Sequence, residues 1–205
     1  MMKQMFCAVL IAMLVVVGQA AAQTSVKQEQ AVAIIKQLGG TVEIDESQPG
    51  KPVVKVDLHS TAVTDADLKH LEELKQLRHL DLRLTKIGDG GVSHLKGLTQ
   101  LRLLNLFRTQ LSDKGLAELK GLTELETLMI GGTKVTDDGL VSVKSFPRLK
   151  KMSIFDTQIS DEGLKNLKDL SELKVLLIGK SKVTDDGANT LREALPGIRF
   201  TESLN

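Results

Sequence analysis

LRLLNLFRTQLSDKGLAELKGLTE, residues 101–124, and LKKMSIFDTQISDEGLKNLKDLSE, residues 149–172, are two versions of one pattern. Blocks of 24 residues with this layout begin at Val53, Leu77, Leu101, Leu125, Leu149 and Leu173 and follow one another without an insertion. A fixed period of this length marks a chain built by stacking one small supersecondary unit. Seven positions of the block are apolar in all six copies, in a chain that is 41% hydrophobic overall. The fourth and sixth positions (Leu104 and Leu106, Leu128 and Ile130, Met152 and Ile154) alternate with variable residues, the period of a short strand buried on one side. The sixteenth, nineteenth and twenty-second (Leu116, Leu119, Leu122) recur at helical spacing. Each block therefore reads as strand, turn and helix. None can bury its own apolar face, so stacking is compulsory.

Polar positions punctuate the block. The ninth is Thr61, Thr85, Thr109, Thr133, Thr157 or Ser181, expected to satisfy backbone groups from one repeat to the next where the strand turns inward. Five copies then carry a good N-cap residue (Thr64, Ser112, Thr136, Ser160, Thr184), and every copy follows with an aspartate (Asp65, Asp89, Asp113, Asp137, Asp161, Asp185). That acid falls at the positive end of the helix dipole. Gly91, Gly115, Gly139, Gly163 and Gly187 suggest close approach between helix and neighbouring backbone; the first copy has Asp67 instead.

The pattern L-x-x-L-x-L-x-x-T-x-I/V/L-T/S-D-x-G-L-x-x-L-x-x-L resembles the leucine-rich-repeat family, in particular the bacterial branch with Thr-Asp-x-Gly-Leu in its descending turn. The resemblance covers Val53 to Pro196. It implies an α/β solenoid, a right-handed horseshoe with a parallel sheet on the concave face and helices on the convex face, and a role in protein recognition.

Working outward from the array, residues 23–52 are expected to form an N-terminal cap. Ser25 would cap a helix with Ala31, Ile34, Ile35 and Leu38 on its apolar face, and Thr41 to Asp45 alternates like a strand that would cover the first edge of the sheet. At the other end Leu195-Pro196-Gly197 stops the last helix, and residues 197–205 are expected to close the array. Residues 1–22 have the layout of a secretory signal peptide: Lys3, an apolar run from Phe6 to Val17, then Ala20-Ala21-Ala22. Cleavage is expected after Ala22, giving a secreted or periplasmic chain with no membrane insertion; Cys7 lies inside the apolar run, a weaker position for a lipid-modified cysteine. Cys7 is the sole cysteine, so the mature chain would close its ends by packing alone. The chain has 27 Lys and Arg against 26 Asp and Glu, and loss of Lys3 would bring the formal charge to zero. No global field then favours nucleic acid or anionic membrane.

Catalytic chemistry has little to stand on. Gly179-Lys180-Ser181 mimics the end of a phosphate loop, but the earlier glycine of that motif would have to be residue 174, which is Lys174. The most plausible polar cluster lies on the first two repeats, where Asp57, His59, His79 and Asp81 could converge on a metal on the concave face. Lys55 and Arg83 lie beside them, and a solvated ion-pair cluster is the alternative. The twentieth position reads Glu72, Lys96, Lys120, Lys144, Lys168, Arg192, either a stripe for acidic polymers or cations answering the negative ends of helices.

Strand positions three, five and seven are expected to face outward on the concave side. Their polarity changes along the arc, from Lys55, Asp57, His59, His79, Asp81 and Arg83 to a set containing Leu103, Phe107, Met129, Gly131, Phe155 and Leu177. The last six are the candidate ligand-binding patch, two aromatic walls flanking a bare glycine floor. The leading function is thus a non-catalytic protein-binding module without a cofactor. A carbohydrate or envelope-polymer binder is the alternative, poorly served by a chain without Trp or Tyr, and a metal-dependent activity is the third reading.

Overall fold

The computed structural model describes residues 26–202, so the expected leader at 1–22, the expected Ser25 cap and the rest of residues 1–25 and 203–205 lie outside it. A helix over residues 26–37 precedes β1 (Thr41–Ile44). Then come β2 (Val53–Asp57), β3 (His79–Asp81), β4 (Leu103–Asn105), β5 (Thr127–Met129), β6 (Lys151–Ser153), β7 (Val175–Leu177) and β8 (Arg199–Thr201). They form one open sheet in sequential order. β1 runs antiparallel to β2, and every later pair is parallel. Register advances by one block per strand, so that Leu80, Leu104, Leu128, Met152 and Leu176 stand in line.

The apolar positions explain this stacking. Every one of the seven in the first five blocks is buried, and together they make one continuous core between sheet and convex side. In the last block Ile178 and Val183 are half-buried and Ala194 is exposed.

The convex elements are tighter than regular helices. Asp65–Leu71 and Gly139–Ser145 are 3-10 turns throughout. Asp89–Val92, Asp113–Glu118 and Asp161–Leu164 begin as short α segments and tighten into 3-10 turns at Ser93–Leu95, Leu119–Gly121 and Lys165–Leu167. The reason is in the spacing: apolar residues every third position match the three residues per turn of a 3-10 helix, whereas an α-helix of 3.6 would rotate them off the core. The last block departs from the rule. Its buried residues are Ala188, Leu191 and Leu195, an α-helical spacing, and Asp185–Ala194 is a full α-helix.

The ninth-position hydroxyls act within their own repeat and not between repeats. Thr61, Thr85, Thr109, Thr133 and Thr157 each donate to the carbonyl three residues earlier, at 2.6–2.8 Å. The bond between repeats is made by the aspartates. Asp113 Oδ1 accepts the Thr136 amide and its Oδ2 the Thr136 hydroxyl, at 2.8 and 2.7 Å. Asp89 does the same for Ser112, Asp137 for Ser160 and Asp161 for Thr184. Asp65 reaches only the amide of Gly88, which has no hydroxyl to offer.

This staple explains the glycines two residues beyond each aspartate. A Cβ on Gly91 would stand 2.5 Å from Asp65 Oδ1, and at Gly115, Gly139, Gly163 and Gly187 it would lie closer still to the preceding repeat's aspartate. The neighbour that forbids a side chain is therefore that carboxylate, more than backbone. It also accounts for Asp67. The first block has no repeat, and so no stapling aspartate, behind it, and Asp67 forms a capping box with Thr64.

The Thr64 hydroxyl and amide, at 2.6 and 2.9 Å, hold the Asp67 carboxyl below its ordinary value. A depressed folded-state pKa contributes stability that is complete above the unfolded value and is lost as pH falls through the folded one, here below about pH 4. Urea midpoints followed from neutral pH into that range should fall less steeply for Asp67→Asn than for the parent; equal slopes would contradict the capping box.

The eighth position of every block has positive φ: Ser60, Leu84, Arg108, Gly132, Asp156 and Lys180. Only one copy uses glycine. Leu84, at φ 58° and 48% exposed, carries the conformational cost of a branched side chain without burying it. Leu84→Gly should raise stability by roughly 0.5–1 kcal/mol, the left-handed penalty less the extra entropy of an unfolded glycine. A lower thermal midpoint would contradict it.

Candidate functional site

The sheet's outer face divides into two halves of different chemistry. On β2 and β3 the carboxylates are already engaged. Asp57 Oδ1 accepts the His59 amide at 3.0 Å and lies 2.7 Å from His59 Nδ1. Burial pushes the Asp57 carboxyl up, but the backbone and ring hydrogen bonds from His59, with the charges of His59 and Arg83, outweigh it and hold the group below its ordinary value. Asp81 Oδ1 accepts the Arg83 amide at 3.0 Å, while Oδ2 lies 3.5 Å from Arg83 Nε and 3.3 Å from Asn105 Nδ2. Lys55 pairs with Glu43 of β1 at 3.9 Å. His79 lines a separate hollow with Glu43, Asp45 and Arg78. The structure thus makes Asp57, His59 and Asp81 part of an ion-pair and turn-capping arrangement and leaves His79 outside it. Among the described residues no group of three or more His, Cys, Asp or Glu comes together for a metal ion.

The capping continues along the arc. Asn105 Oδ1 accepts the Phe107 amide at 3.1 Å and Ser153 Oγ the Phe155 amide at 3.4 Å. The fifth position is therefore a local cap wherever the seventh carries a side chain. Met129 and Leu177 have no such oxygen, and the seventh residues following them are Gly131 and Gly179.

From β4 onward the face is apolar at its centre. Phe107 and Phe155 are half-buried, with ring centroids 6.3 Å apart and planes inclined by 45°. Such a tilted contact is a favourable aromatic arrangement. The rings come together across Gly131, whose place could not accept a side chain: a Cβ there would stand 2.7 Å from the Phe155 carbonyl oxygen and 3.0 Å from Phe107 Cδ2. Gly131 is buried, so the anticipated bare floor is instead covered by the aromatic pair. Leu103 and Met129 are half-buried, and Leu177 is 2% exposed, inside the packing and not on the patch surface. Outward direction along a strand does not guarantee exposure where large neighbours lean over a residue.

A groove of about 590 Å³ runs beside Phe107, with Leu84, Asn105 and Met129 along it, His59 and Arg83 at one end and Lys151 at the other. Two cations absent from the sequence-based patch complete it. The Arg108 guanidinium stands 5.3 Å from the Phe107 ring centre and Lys180 Nζ 5.5 Å from that of Phe155. Both occupy the left-handed eighth position, which sends them back over the face. Gly132 in that column was the only sequence signal of the unusual backbone.

On the convex side Lys96, Lys120, Lys144, Lys168 and Arg192 are exposed. Lys96 and Lys168 follow the last residue of their 3-10 turns, and Lys120, Lys144 and Arg192 lie in the last turn of theirs. Glu72, at the head of the row, is held by His94 at 2.5 Å.

The sheet of register-locked 24-residue units, closed on its convex side by short turns, has the architecture of a leucine-rich-repeat solenoid. The family described as "Leucine Rich repeat" matches residues 73–96. Among solved structures the chain is similar to an internalin (inlF) from Listeria monocytogenes, with 16% identity, a TM-score of 0.55 and coverage of 84% of this chain and 54% of that one. It thus spans about half the length of that internalin. An internalin C2 (inlC2) from the same organism matches at 19% identity and a TM-score of 0.49, over 83% of this chain and 92% of that one. No curated protein matches the chain in sequence. Among the described residues no helix is long and apolar enough to cross a membrane.

Proposed function

We propose that the chain is a non-catalytic protein-binding module, secreted or periplasmic, that seats its partner on the sheet face over Phe107 and Phe155. The observation that carries this reading is the half-buried aromatic pair, which the core does not require: neither phenylalanine occupies one of the seven apolar positions, yet both rings are held together and left partly open to solvent. Rigid, partly desolvated aromatic anchors at the centre of a concave face are what a protein interface uses for most of its binding energy. The internalin likeness supports the solenoid architecture and adds nothing about the partner. Export rests on Lys3, the apolar run to Val17 and Ala20–Ala22, within a proposed division into leader 1–22, cap 23–52, repeats 53–196 and closing segment 197–205.

Selection of a displayed random-peptide library on the parent chain, followed by binding measurements on Phe107→Ala/Phe155→Ala, tests the site. Peptides recovered in this way should lose roughly 1–3 kcal/mol of affinity for Phe107→Ala or Phe155→Ala alone. Selected peptides that bind the double variant as tightly as the parent would refute the reading.

A further inference from the structure

The charge around the aromatic pair is unbalanced although the mature chain as a whole would be neutral. On β4–β8 and the residues that follow each strand, positions three, five, seven and eight carry Arg108, Lys151, Lys180 and Arg199 against one carboxylate, Asp156. All four cations are exposed, and among the described residues none is joined to a carboxylate by an ion pair. On β2 and β3, by contrast, Asp57 and Asp81 are met by His59 and Arg83. The four cations are also placed in two rows. Arg108 and Lys180 stand over the rings of Phe107 and Phe155. Lys151 and Arg199 occupy equivalent register positions on β6 and β8 with half-buried Val175 between them, and line one open hollow with Phe200. Strands about 4.8 Å apart put their Cα atoms roughly 10 Å from each other.

Resting on the concave-face reading, we propose that the partner is an acidic protein segment that places an apolar side chain on the Phe107–Phe155 pair and sets carboxylates against the flanking rows, Arg108 with Lys180 and Lys151 with Arg199. Unpaired cations around an apolar centre raise the encounter rate with an acidic partner and disfavour basic ones. The stacked positions of Arg108 and Lys180 lower the entropy lost when they meet a carboxylate, because each side chain is already held against a ring.

The peptides recovered by the selection above provide the test, with the full chain throughout. Their sequences should be enriched in Asp and Glu on both sides of a Leu, Met or aromatic residue. Their affinity should fall as salt is raised and by about tenfold in Lys151→Glu/Arg199→Glu, whose thermal midpoint should stay at the parent value because both side chains are exposed. Neutral or basic peptides that still require Phe107 and Phe155 would overturn the acidic partner and leave the concave-face reading standing. Acidic peptides that bind Phe107→Ala/Phe155→Ala as well as the parent would overturn both. A parent chain that enriches no peptide, whether or not it sediments with vesicles containing phosphatidylglycerol, counts against the proposal, and sedimentation would assign the cations to an anionic surface.

Discussion

Gly139→Ala should destabilise the chain by about 2–4 kcal/mol, from overpacking together with disruption of a part-buried polar contact. Backbone freedom alone points the other way, since an unfolded glycine has more conformational entropy to lose than an alanine. The sign is decided by what the methyl group meets. It would press on the Asp113 carboxylate, whose Cγ would be 2.9 Å away, and on Val135 Cγ1 at 3.0 Å. Displacing Asp113 would in turn release the Thr136 amide and hydroxyl. Asp113→Ala should itself cost about 2–3 kcal/mol, because two donors lose their acceptor. The double variant has room for the methyl group and has already lost the staple, so its cost should be at least about 1 kcal/mol less than the sum. Strict additivity in chemical denaturation would show that the two residues do not act on one another.

Leu128→Ala should cost about 2–5 kcal/mol, the range for emptying a fully buried leucine site. Leu128 is fully buried on β5, with Leu104 and Met152 in register on either side. Nearest-neighbour stacking makes the loss felt by the whole array, so unfolding should remain a single transition at a lower midpoint. Two separated transitions, or a protease-resistant fragment lacking one end, would contradict a continuous core. Phe155→Ala makes the contrast: it removes a larger side chain outside that core and should disturb folding less than Leu128→Ala.

Much of this architecture is legible in the sequence because a repeat reports each position six times. The apolar columns gave the core, and the fourth and sixth positions gave strands with the register now seen in Leu104, Leu128 and Met152. The convex side was less legible. The sixteenth, nineteenth and twenty-second positions of the block read as helical, yet their strict spacing of three is the 3-10 period, and only Ala188, Leu191 and Leu195 depart from it. The aspartate staple joins residues 23 apart, as Asp113 joins Thr136, and no window confined to one block can display it. Asp67 was the visible clue, as the one copy that lacks both a preceding aspartate and the glycine. At the site, alternation located Phe107 and Phe155 correctly on the outer face, but period says nothing of side-chain lean. The closure of the two rings over Gly131, the burial of Leu177 and the return of Arg108 and Lys180 over the face follow from packing and from left-handed backbone at the eighth position. On the first two repeats Asp57 and Asp81 each give one oxygen to the turn that follows, a local bond that alternation does not display.

The seat of the partner decides the function proposed for this chain. Hydroxyl-radical footprinting of the chain, free and saturated with a selected peptide, reads this directly because Phe107, Met129 and Phe155 are half-buried reporters on the sheet face and Val141, 54% exposed, reports on the convex side. Binding should suppress oxidation of Phe107, Met129 and Phe155 and leave Val141 unchanged. Unaltered oxidation at the three sheet-face residues with protection at Val141 would contradict the account and move the interface to the convex lysine row.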